Sequence, residues 1–141
     1  MFALIVGLAL GLLTSLPVKA DTWIVTTVAS YHPGGGDYNE RNLGLGLEHG
    51  GEKFRIVGGG YRNSFYRDSY YIGMTAGMMK LGPVKIGLMA GGVTGYEDTV
   101  EPVLMPFMAI EGKQVGANLG IMPAKDGGVT VIGLQIKFRW K

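Results

Sequence analysis

His32 and Ser64 have side chains suited to acyl chemistry, and the pattern around them places both at strand ends. An imidazole beside a hydroxyl forms a base–nucleophile pair when a third group orients the ring. His32 ends one strand-like segment and Asn63-Ser64 ends another two segments later, so an antiparallel arrangement brings them to one rim. The plainer reading is also open: Asn and Ser are ordinary turn residues, and a rim histidine is commonly just solvated. Geometry between the two side chains decides. His49 stands in a tight turn far from His32, the carboxylates are scattered and there is no cysteine, so no metal constellation is expected. Gly34-Gly35-Gly36 lacks the Lys-Ser/Thr and the following helix of a phosphate loop.

The elements that must position this pair are strands. Leu43, Leu45 and Leu47 alternate with Gly44 and Gly46, and Ile132 to Trp140 alternates apolar residues with Gly133, Gln135, Lys137 and Arg139. Eight such segments fall at about 22–32, 41–48, 53–62, 69–79, 84–94, 102–110, 114–122 and 129–140. Tight turns at 49–52, 80–83 and 111–113 alternate with longer connections, the pattern of an eight-stranded antiparallel transmembrane β-barrel. The barrel must close, since an open edge in lipid leaves backbone groups unsatisfied. Charged residues are 17 % of the chain, below the roughly 25 % of soluble domains, as a lipid-facing wall requires. A net charge of +2 gives no reason to expect a nucleic-acid partner. The apolar run from Phe2 to Leu13, followed by Val18-Lys19-Ala20, reads as a signal peptide over residues 1–20, leaving a single barrel over 21–141. Export places the barrel in a bacterial outer membrane.

Three further features bear on a lipid substrate. Pro102 and Pro106 interrupt a strand-like segment, and Pro123 ends the next one; each lacks an N–H, so together they predict a laterally weak wall through which a lipid chain can pass. The proposed inward positions include Gly44, Gly46, Gly73, Gly77, Met89 and Gly91, which suit hydrocarbon better than water; a filled interior is the competing account. Tyr61, Phe65, Tyr66, Tyr70, Tyr71 and Tyr96 near one rim, and Trp23 and Trp140 near the other, read as aromatic girdles. Arg41, Arg62, Arg67 and Lys125 form a basic rim that can meet lipid phosphates or simply be solvated.

These residues resemble the outer-membrane lipid A palmitoyltransferase (PagP) family. The likeness rests on Tyr38-Asn39-Glu40-Arg41 with Gly44-Leu45-Gly46-Leu47, on Tyr61-Arg62-Asn63-Ser64, on Val84 to Thr94, and on Pro102-Val103-Leu104-Met105-Pro106. It runs in order from His32 to about Pro123. It implies transfer of a palmitoyl-like chain from a membrane phospholipid to lipid A, without a cofactor, by a barrel expected to be a monomer. By position His32 matches the family's essential histidine, Ser64 its serine, and Asn63 stands where the family has aspartate. Pro102 or Pro106 and Pro123 match its lateral-access prolines, and Gly73, Thr75 and Met89 are assigned to the acyl-chain pocket; Thr75 stands in place of a glycine at the position that sets chain length, so the family's chain-length selectivity does not carry over. Asn63 can orient an imidazole but carries no charge, so Asp37 or Asp68 is a candidate substitute. The family's N-terminal amphipathic helix has no counterpart after Asp21. The alternatives are a non-enzymatic lipid-binding or structural barrel, and a lipid A deacylase or phospholipase of similar size.

Overall fold

Eight β-strands make up most of the computed structural model, which describes residues 19–97, 99–123 and 128–140. Most of the signal-peptide segment and Lys125 lie outside these residues. The strands are β1 (Asp21–Tyr31), β2 (Gly44–Gly50), β3 (Phe54–Arg62), β4 (Asp68–Leu81), β5 (Val84–Val93), β6 (Glu101–Glu111), β7 (Val115–Pro123) and β8 (Val129–Trp140). Each pairs antiparallel with its sequence neighbours, and β1 pairs with β8 to close the barrel. The expected eight-stranded closed barrel is therefore the fold. Closure follows from the alternation: with one face of every strand apolar and outward, only a cylinder satisfies every edge.

Three boundaries differ from the sequence expectation by more than one residue. One is the end of β2, which runs to Gly50 and so takes His49 out of the expected turn and into the strand. β2 starts at Gly44 rather than 41, because Asn42 is committed to the loop before it. Its Nδ2 donates to the Asn39 and Arg62 carbonyls, and its side chain lies 2.5 Å from Ser30 Oγ. β4 runs on to Leu81 and returns through Gly82, whose φ of 58° lies in the left-handed region that favours glycine.

Leu45, Leu47, Tyr70, Ile72, Leu104 and Phe138 are exposed on the outer surface. A closed barrel wearing a belt of large apolar side chains is the form in which strands cross a bilayer. Inside, the end bearing the tight turns is filled by charge. Lys137 is fully buried, with Nζ 3.1 Å from Glu48 Oε2 and 2.6 Å from Glu111 Oε1. Arg55 also pairs with Glu111, and Lys85 lies 3.4 Å from the same carboxylate.

Trp23 corrects the girdle assignment. It is fully buried, not at a membrane interface, with Lys137 Nζ 5.0 Å and the Arg139 guanidinium 4.3 Å from its ring centroid. These are cation–π distances. Tyr61, Tyr71 and Tyr96 also leave the proposed girdle and line the lumen cavity. Trp140, Tyr66, Tyr70 and Phe65 are exposed, as a girdle needs.

Candidate active site

The first loop folds back over the end of β1. Backbone bonds from Ser30 N–H to Glu40 O (3.0 Å) and from Asn39 N–H to Ser64 O (2.9 Å) tie this loop to both β1 and the β3–β4 loop. The ties bring His32 and Ser64 together: His32 Nε2 lies 3.0 Å from Ser64 Oγ. Tyr38 stacks on the imidazole with centroids 4.2 Å apart and planes at 15°. His32 is 7 % exposed, so the ring is held by packing rather than free at a rim.

The group facing the other ring nitrogen is Glu40, which the sequence reading did not assign. Its Oε1 lies 3.4 Å from His32 Nδ1 and accepts the His32 backbone N–H at 3.2 Å. A carboxylate cannot donate, so this neighbour favours the tautomer with the proton on Nδ1. Nε2 is then the lone pair that faces Ser64 Oγ–H. The 3.4 Å separation is long for a hydrogen bond, but the negative charge still orients the ring and stabilises an imidazolium.

Asn63 does not take the orienting role. It is fully buried and spent on loop structure. Its Nδ2 donates to Ser69 Oγ (3.0 Å) and the Gly95 carbonyl (2.8 Å), and its Oδ1 accepts the Phe65 and Arg67 N–H groups. Gly95 sits at φ 89°, and a Cβ there would lie 3.1 Å from Asn63 Nδ2. Asp68 is turned to Arg62, 3.0 Å away, and is not a substitute either. Asn63→Asp loses both amide donors and sets a carboxylate against the Gly95 carbonyl. The expected result is a loss of about 1–3 kcal/mol of stability, read as a lower urea midpoint, with no gain in any His32-dependent activity.

His32 and Ser64 border a cavity of about 710 Å³ that runs down the lumen, within the range of small-molecule sites. Thr75 and Met89 line it as assigned. Gly73, assigned to the pocket with them, does not line it: it lies on the same inward face of β4, but Met89 Cε and the Ala90 carbonyl occupy the space where its side chain would begin. Val57, Met89 and Phe107 form an apolar cluster, with Tyr71, Val103 and Met105 packed against it. Tyr61 and Tyr96, their hydroxyls 2.8 Å apart, stand near the mouth. Burial holds the Tyr96 phenol above its ordinary value.

The wall is incomplete in two places. β6 and β7 pair only from Phe107↔Gly120 to Glu111↔Gly116, although β6 continues to Glu101 and β7 to Pro123. The ladder from β6 to β5 runs unbroken through Pro102 and Pro106, so the open edge is the one toward β7. Glu101, Pro102 and Val103, at the rim end of β6, line the cavity beside this seam. Pro123 pairs with Val129 of β8 after a register shift. β1 and β2 likewise pair only from Asp21↔Gly50 to Val25↔Gly46.

No protein-family profile matches this chain, and no curated protein does. Among solved structures it is similar to a de novo designed protein, TMB2.3, determined by solution NMR. The two share 12 % identity over 89 % of this chain and 99 % of the designed one, with a TM-score of 0.64. At that identity the likeness is one of fold alone.

Proposed function

We propose that this barrel is an outer-membrane acyltransferase that moves a fatty acyl chain from a phospholipid to lipid A. The observation that carries the reading is the His32 Nε2–Ser64 Oγ contact of 3.0 Å at the mouth of a lumen cavity, beside a wall where β6 and β7 are only partly paired. The resemblance of the sequence to lipid A palmitoyltransferases supports the same assignment. The acyl chain lies in the cavity, entering between β6 and β7 beside Pro102 and Pro106, and its ester carbonyl sits at the rim.

His32 accepts the proton of the attacking hydroxyl, while Glu40 stabilises the imidazolium and Tyr38 keeps the ring plane fixed. The attacking oxygen is either Ser64 Oγ, giving an acyl-serine that the lipid A hydroxyl resolves, or the lipid A hydroxyl itself with Ser64 relaying the proton. In both routes the phospholipid C–O ester bond breaks, a new ester forms, and the proton ends on the lysophospholipid oxygen. One ester replaces another, so no cofactor is needed. Arg41, Arg62 and Arg67 lie at or beside the rim loops and suit the phosphates of the acceptor.

The test is purified full-length barrel in detergent with a phospholipid carrying an isotope-labelled acyl chain, with and without lipid A. The expected product is lipid A heavier by one labelled acyl group. Labelled free fatty acid, formed equally without lipid A, would make the protein a phospholipase, since the same pair activates water. Unlabelled fatty acid released from lipid A would make it a deacylase. No turnover of either lipid would leave the non-enzymatic lipid-binding barrel.

A further inference from the structure

The loop between β1 and β2 carries two buried asparagines, Asn39 and Asn42, that the proposed chemistry does not use. The loop residues before them, Gly34 to Tyr38, are exposed. A buried amide in irregular backbone is stable where its polar atoms are matched, and those of Asn39 are. Its Nδ2 donates to the Asn63 carbonyl at 3.1 Å, and its Oδ1 accepts the Arg41 N–H at 3.1 Å. Both partners are backbone groups of fixed role, so the amide has one orientation.

Asn39 grips the serine segment twice. Its backbone N–H donates to the Ser64 carbonyl at 2.9 Å, and its side chain holds the carbonyl of the preceding residue, Asn63. One hydrogen bond leaves a peptide free to swivel about it; two on successive carbonyls fix its direction. The residues on either side of Asn39 are the two that hold the histidine. Tyr38 stacks on the His32 ring, and Glu40 Oε1 lies 3.4 Å from His32 Nδ1. One residue thus ties Ser64 to both groups that fix the imidazole. Asn42 braces the tie from behind, since its Nδ2 donates to the Asn39 carbonyl at 3.2 Å and to the Arg62 carbonyl at 2.9 Å. Asn39 is not among the residues that line the lumen cavity, so its effect on the reaction runs through others.

We propose that Asn39 is the positioning residue of this site, its side-chain amide holding the His32 ring and the Ser64 hydroxyl in line. The inference rests on the acyltransferase reading, since it assigns what keeps that reading's base and hydroxyl together. The separation at stake is the 3.0 Å between His32 Nε2 and Ser64 Oγ. A misplacement of about 1 Å in such a pair costs roughly a hundredfold in rate. The amide can be removed without unfolding what lies beneath it. The Asn63 carbonyl also accepts the Tyr66 N–H at 3.1 Å, and Arg41 is exposed, so its N–H turns to water.

Asn39→Ala removes the side-chain amide and keeps the backbone N–H. In the full-length barrel its kcat for acyl transfer should fall about tenfold to a hundredfold, with KM changed by less than about twofold. A merely structural role predicts instead fewer folded barrels, each with full kcat. A second measurement needs no turnover: nitrogen NMR of isotope-labelled histidines in detergent micelles. In the unaltered protein His32 should carry its ring proton on Nδ1, facing Glu40. In Asn39→Ala it should shift toward the Nε2–H form that an unheld imidazole prefers. His49, 2.7 Å from Thr22 Oγ1 near the other end of the barrel, should keep its signals. Asn39→Asp keeps the shape but sets an oxygen against the Asn63 carbonyl; it should act in the same direction, and it decides if Asn39→Ala does not fold. Unchanged His32 signals in the folded variants overturn the inference. A changed ring in a barrel that transfers no acyl group would sustain the positioning role and refute the enzyme. Transfer at full kcat by folded Asn39→Ala would do the reverse.

Discussion

Replacing His32 with alanine is expected to lower acyl transfer by about 1,000- to 10,000-fold while leaving the barrel folded. The size follows from what the ring does. General-base assistance alone is worth roughly 10²–10⁴ in rate, and a base held in line with a serine hydroxyl acts at the upper end of that range. The folding cost is small, because the ring sits in the loop layer. Its stacking on Tyr38 is worth about 0.5–1.5 kcal/mol. Ser64→Ala should lose a similar factor if an acyl-serine forms. It should lose far less if Ser64 only relays a proton, so the two single variants separate the routes. In the acyl-serine case the double variant should be no worse than either single one, since the groups act as a unit. Glu40→Gln keeps an oxygen for the His32 N–H groups but removes the charge facing the imidazolium. Its expected loss is about tenfold to a hundredfold, seen mainly in kcat. Initial rates of labelled lipid A formation on refolded, heat-modifiable barrel check all four. A His32→Ala protein with unchanged rate would remove the proposed base.

The strands were legible because each carries its own signal: inward glycines against outward leucines, repeated with tight turns between them. The His32–Ser64 pairing was legible as a possibility, since alternation in an antiparallel barrel dictates which strand ends share a rim. Glu40 was not. It lies eight residues after His32 in an irregular loop, where no period relates the two positions. Only the folding-back of the loop, fixed by Ser30 N–H to Glu40 O and Asn39 N–H to Ser64 O, turns its carboxylate to the ring. The available signal was local: a carboxylate beside Tyr38 in the one loop that follows the histidine. Asn63 was misread for a related reason. Its neighbour Ser64 faces His32, but Asn63 faces the Gly95 loop, contacts that sequence spacing does not reveal. Trp23 was misread because a terminal tryptophan looks the same whether its ring faces lipid or lumen. What turns it inward is its parity with Val25, which is also buried.

The charged turn end should set the stability of the barrel, and its members should not be equivalent. Among the described residues Glu48 and Glu111 face Arg55, Lys85 and Lys137 inside the wall. Glu111 touches all three cations. Glu111→Gln leaves three buried cations to share Glu48, and Lys85 then has no carboxylate at the distance it had. Removing one partner of a buried ion pair typically costs 3–5 kcal/mol, since the remaining charge is left uncompensated, and the upper part of that range is expected here. Lys137→Met has the opposite arithmetic. It leaves two cations for two carboxylates: Arg55 keeps Glu111 and Glu48, Lys85 keeps Glu111, and Asn118 still donates to Glu48. A methionine of similar length fills the same space, so the expected cost is about 1–2 kcal/mol, part of it the lost cation–π contact with Trp23. Urea unfolding of the barrel in lipid vesicles, followed by the fluorescence of Trp23 and Trp140, measures both. The order is the critical result. If Lys137→Met destabilises as much as Glu111→Gln, the cluster is held by the lysine's fit rather than by balance of charge, and the floor of the lumen would owe its rigidity to packing.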